Sequence, residues 1–160
     1  MKVEVQLIHL QAWAQEEISA QRGLSDVLKG MEAAVLSGQP EQLIQSGEAL
    51  EAALLVNRNR EQKRASLMRG FAQHFGLPVG TLSLTSIIVR LSEAGHDTEQ
   101  LSQLRDRLRG CVQEVANRSR ALSILASHHQ GVLADLMNII GASSNEEETR
   151  KHGVLVDAEA

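Results

Sequence analysis

Aromatic residues are nearly missing: there is no Tyr, one Trp and two Phe in 160 residues. The apolar content is therefore mostly aliphatic, which suits interdigitating helices better than a sheet sandwich. Proline is as scarce, and Pro40 and Pro78 both fall between apolar-periodic segments rather than inside them. The single cysteine, Cys111, excludes an internal disulfide and reads as a small core residue. No run approaches the roughly 20 apolar residues that a membrane span needs, and Glu4, Gln6 and His9 interrupt the N-terminal segment early. A cytoplasmic protein without membrane insertion is expected. The formal net charge is −4, and phosphate binding wants a basic face, so no nucleic-acid partner is expected.

What the sequence has in abundance is leucine at helical spacing. From Val3 to Leu36 apolar residues recur at three and four, through Leu7, Leu10, Ala14, Ile18, Leu24, Leu28, Met31 and Val35. A one-sided face of that length needs a partner helix. Gly38 stands where a helix C-terminus wants glycine, and Pro40 opens the next helix, so a tight antiparallel hairpin is predicted. The second helix should run from Pro40 to Phe75, stopped by Gly76-Leu-Pro78. Its cations Arg58, Arg60, Lys63 and Arg64 crowd together. If paired residue numbers sum to about 78, Glu16 and Glu17 come level with that cluster, and internal charge pairing follows. No aromatic residue interleaves the cations, as a stacking platform for single strands would require.

Residues 81–94 give a short helix through Leu84, Ile87, Ile88 and Leu91, capped by Thr81 or Ser83. A long helix then spans Asp97 to Gly141, opened by Asp97 with Gln100 in a capping-box-like spacing. Read in sevens, one seam carries Leu101, Leu108, Val115, Leu122, His129 and Leu136. The other carries Leu104, Cys111, Arg118, Leu125, Val132 and Ile139. A repeat every 3.5 residues keeps one stripe facing a partner helix, which is the coiled-coil pattern. The predicted fold is all-α: an elongated antiparallel bundle or coiled coil of three long helices plus one short helix. Its domains would be a helical bundle over 1–141 and a mobile acidic tail over 142–160, with the turn-like Gly141-Ala-Ser-Ser-Asn145 at the junction. That tail holds Glu146, Glu147, Glu148, Asp157 and Glu159 against Arg150 and Lys151, a net −3.

Catalytic constellations are not visible. His128 and His129 are neighbours and diverge by about 100° on a helix, so they share a metal poorly. No His-Glu-x-x-His set, phosphate-cradling glycine loop or nucleophile elbow occurs. Neither an enzyme nor a cofactor is expected. The end of the long helix is more distinctive, since Ile139, Val132, Leu136, Ile140, Leu133 and Met137 cover an arc of about 160°. A bundle seam needs only the first three, which leaves Leu133, Met137 and Ile140 in surplus. Either the 81–94 helix covers them, or they receive an apolar helix from another protein. Self-association of this arc, giving a homodimer of a coiled-coil structural or adaptor protein, is the alternative.

Three stretches carry a resemblance to the FlgN family of flagellar export chaperones. Leu24 to Leu43 ends a helix in Leu-Ser-Gly38 and restarts with Glu41-x-Leu43. Arg64-Ala-Ser-Leu-Met-Arg-Gly-Phe-Ala-Gln-His-Phe-Gly-Leu-Pro78 is similar to the family's Arg-x-x-Leu-Leu run closed by Gly-Leu-Pro. Asn117-Arg-Ser-Arg-Ala-Leu-Ser-Ile-Leu125, followed by Leu133 and Leu136, matches its Asn-x-x-Asn region, with Arg120 in place of the second Asn. The resemblance implies a cytoplasmic type III export chaperone without nucleotide chemistry. Its clients would be the hook–filament junction proteins FlgK and FlgL, held by their helical ends until the flagellar export gate accepts them. It places client contacts in the C-terminal region, on Leu122, Leu125, Leu133, Leu136, Met137 and Ile140.

Overall fold

A computed structural model describes the backbone from residue 3 to 156, and side chains from residue 3 to 138 with Leu133 excepted. The described residues form four helices and no strand: α1 (Val3–Ser37), α2 (Pro40–Phe75), α3 (Leu84–Glu93) and α4 (Glu99–Val156). The all-α fold with three long helices and one short one is thus observed. The chain divides into two units, Met1–Leu122 and Ser123–Ala160.

Punctuation sets the boundaries of the hairpin. Gly38 adopts φ +65°, a left-handed conformation that only glycine takes without strain, and Pro40 follows at the first position of α2. At the other end Gly76, at φ +64°, donates to Gln73 O while Leu77 N–H reaches back 2.9 Å to Ala72 O. This pairing satisfies carbonyls that the last turn of α2 would leave orphaned. Ser83 caps α3: its hydroxyl accepts from the Ser86 N–H at 3.1 Å, and the Ser86 hydroxyl accepts from the Ser83 N–H at 2.8 Å.

Charge pairing fixes the register of α1 against α2. Arg60 Nε donates to Glu17 Oε2 at 2.9 Å and Lys63 Nζ to Glu16 Oε2 at 2.9 Å, so the paired numbers sum to 77 and 79. The antiparallel pairing expected from the sequence is the one observed. The Arg60–Glu17 side chains are only 14 % and 12 % exposed, whereas Lys63–Glu16 lies in solvent. Farther along the same seam, a Cβ on Gly70 would come within 2.8 Å of Gln6 Nε2, so the helices approach closely there.

The core gathers where α1, α2, α3 and the start of α4 converge. Leu10, Trp13, Ala14 and Ile18 of α1 meet Phe71, then Ile87, Ile88 and Leu91, then Leu101 and Leu104. α4 runs in the same direction as α1, since Leu101 and Leu104 share the core with Leu10 while Ser25 bonds to Glu114 and Arg118 farther along both helices.

Two expectations about α4 need correction. Asp97 accepts from the Glu99 N–H at 3.0 Å, two residues on, rather than from Gln100, so the expected capping box does not form. The turn expected at residues 141–145 is absent, because α4 continues as helix through Gly141 to Val156. A single helical Gly costs about 1 kcal/mol, too little to stop a helix alone. By sequence spacing, Glu146–Arg150 and Glu147–Lys151 are also i,i+4 pairs of the kind that supports helix.

Candidate protein-binding surface

The seam of α4 loses its cover along its length. Leu101 and Leu104 are buried; Leu108, Cys111, Val115, Arg118, Leu122 and Leu125 are half-buried; His129, Val132 and Leu136 are exposed.

Arg118 is the polar member of the seam, and the structure accounts for it. Its Nε donates to Ser25 Oγ at 2.9 Å and to Glu114 Oε1 at 3.2 Å, while Ser25 Oγ donates to the same Glu114 oxygen at 2.9 Å. The Ser25 hydroxyl, and next the Arg118 guanidinium, hold the Glu114 carboxyl below its ordinary value of 4.5. This triad ties α1 to α4 by directional bonds at a level where apolar contact has thinned.

The proposed client residues fall as follows. Leu122, half-buried, closes the first unit; Leu125, Leu133, Leu136, Met137 and Ile140 belong to the second. Leu125 is half-buried, Leu136 is 49 % exposed and Met137 is 70 % exposed. The side chains of Leu133 and Ile140 lie outside the described ones, so two of the six positions are known here by helix register alone. Along the helix Leu125, Val132, Leu136 and Met137 project within an arc of about 140°. Among its described residues the second unit consists of this one helix.

The 81–94 helix belongs to the first unit. Ile87, Ile88 and Leu91 are spent on the core beside Leu101 and Leu104, and Arg90 sits 5.8 Å over the Phe75 ring. Leu43, Leu54 and Leu55, expected on the packing face of α2, are exposed instead, as are Ile44 and Val56 beside them and Ile124 on α4.

Among the described residues no group of three or more His, Cys, Asp and Glu is placed to hold a metal ion, and no helix is long and apolar enough to cross a membrane. No family model, curated protein or solved structure matches this chain.

Proposed function

We propose that this chain is an export chaperone of the FlgN kind. It holds the helical ends of the junction proteins FlgK and FlgL in the cytoplasm, and releases them at the flagellar type III export gate. The observation that carries the reading is the exposed apolar arc of α4, with Leu136 and Met137 in water, in a unit whose described residues form one helix. Such surface costs free energy in isolation and is recovered when an amphipathic helix lies against it, roughly 1.5–3 kcal/mol for each large side chain. Met137 suits a surface that must accept more than one client, because its unbranched thioether adapts to different shapes. Leu122, Leu125, Leu133 and Ile140 would extend the contact along the same helix.

The test is co-purification with the C-terminal helical segment of FlgK or FlgL. Leu136→Asp with Met137→Asp is expected to weaken a 1:1 complex at least a hundredfold, about 3 kcal/mol at the lower bound of two lost contacts, while circular dichroism is unchanged. Undiminished binding by this double variant would remove the site. The same arc supports a second reading, a self-assembling coiled coil, because its heptad spacing also fits another copy of itself. Light scattering separates the two: a dimer that resists dilution and is dissolved by the double variant, with no client bound, would favour self-assembly.

A further inference from the structure

We propose that the first half of α2 carries a second docking surface, independent of the α4 arc, and that its occupant is a basic amphipathic helix of another protein. Ile44, Glu48, Glu51 and Leu55 follow one another at i, i+4, i+7 and i+11, a stripe about 16 Å long. The stripe lies roughly 170° around α2 from Ser46 and Arg60, the positions that meet Gly30 and Glu17 of α1. It therefore faces away from the hairpin partner. Ile44 and Leu55 are each 63 % exposed, and Leu43 and Leu54 flank them, also exposed. Two exposed apolar pairs, Leu43 with Ile44 and Leu54 with Leu55, thus stand about three turns apart with Glu48 and Glu51 between them, the spacing of anchors for a single helix.

Charge identifies the occupant. From residue 24 to 56 five carboxylates stand against Lys29 alone, a net −4. Farther along α2 the cations Arg60 and Lys63 are matched by Glu17 and Glu16, whereas among the described residues no cation lies within 4 Å of Glu41, Glu48 or Glu51. The carboxylates interleaved with Ile44 and Leu55 thus keep an unneutralised negative field. A helix presenting Leu or Ile on one side and Lys or Arg beside it would bury the aliphatic pair and meet both carboxylates. An anionic lipid surface would be repelled by the same groups.

The full-length protein can be titrated with two synthetic helical peptides of equal length, one of Leu and Lys, one of Leu and Glu at the same positions. The Leu/Lys peptide is expected to bind, more weakly as salt rises, and the Leu/Glu peptide not to bind. Glu48→Lys with Glu51→Lys should weaken the first at least tenfold and admit the second; Ile44→Ser with Leu55→Ser should weaken the first with the charges intact. Should the serine pair lose helicity by circular dichroism, the charge-reversal pair decides alone. The proposal is overturned if neither pair alters Leu/Lys binding or if Leu136→Asp with Met137→Asp abolishes it instead. A concentration-dependent dimer broken by the charge reversal would equally overturn it, since the occupant would then be a second copy. Failure here leaves the α4 reading standing, because client capture is read on other residues.

Discussion

Gln6 and Glu17 sit one helical stretch apart on α1, face the same neighbour, and are expected to respond to substitution in opposite ways. Gln6 is buried with its Oε1 unpaired, and an unpaired buried acceptor costs about 1–3 kcal/mol. Gln6→Met keeps the length and removes the acceptor, so it should stabilise by about 1 kcal/mol and raise Tm by a few degrees in a thermal melt. Glu17 is paired and largely buried, and removing it leaves the Arg60 guanidinium without its carboxylate. Glu17→Ala should then cost on the order of 3 kcal/mol in urea unfolding, against less than about 1 for Glu16→Ala, whose partner Lys63 is in solvent. Equal effects from the two alanines would show that burial does not distinguish these bridges. Glu114 adds a pH dependence with a definite sign. Its carboxyl is held below 4.5 in the folded state, so its contribution is fully present above that pH and is lost as acid protonates it. Glu114→Gln should flatten the acid limb of stability below about pH 4.5 and leave the neutral region nearly unchanged, as acid titrations of the two proteins would show.

The helices differ in how they end, and that difference governs what can be predicted about each. α2 is bounded by Pro40 and by Gly76 in a left-handed cap, and its limits were readable from those two residues. A Cβ at Gly76 would force a strained φ, so Gly76→Ala should lower stability by about 1–2 kcal/mol. α4 is bounded differently, by continuation rather than by a stop. Gly141 resembles a helix end in sequence because a glycine after an apolar run is the usual C-terminal signal. The residues after it do not supply the proline that closed α2, and the helix passes through. The heptads of α4 were legible from Leu101 to Leu136, but the pattern treats all its members alike. Burial does not, and Leu101 and Leu136 end up at opposite extremes.

On the scale of the chain, the two units should differ in cooperativity. The first holds the core of Leu10, Trp13, Phe71, Ile87, Leu91 and Leu101, contributed by four helices. The described residues of the second form a single helix, and an isolated helix is marginal in water without tertiary burial. Hydrogen exchange should therefore show amides of residues 123–138 opening at far lower free energy than those around Leu10 and Phe71. Uniform protection across both would contradict the division. Binding of a client helix on the α4 arc should raise protection in 123–138 selectively, linking this measurement to the proposed function.

The sequence by itself determined the helices, the Gly38 turn and the α1–α2 register, because each follows from local signals: backbone conformation, apolar period, and charges placed to pair across a short connection. It also placed Leu133, Met137 and Ile140 beside the seam at the end of the last helix by register. Only the tertiary structure decided where α3 would be used, since its Ile87, Ile88 and Leu91 could have covered either end of α4 and the core beside Leu101 took them. Only the tertiary structure decided, too, that Arg118 is anchored by Ser25 and that Leu136 and Met137 face water. Burial depends on which partner is present at each level of a helix, and that is set by relative lengths and packing rather than by any residue's immediate neighbours in the chain.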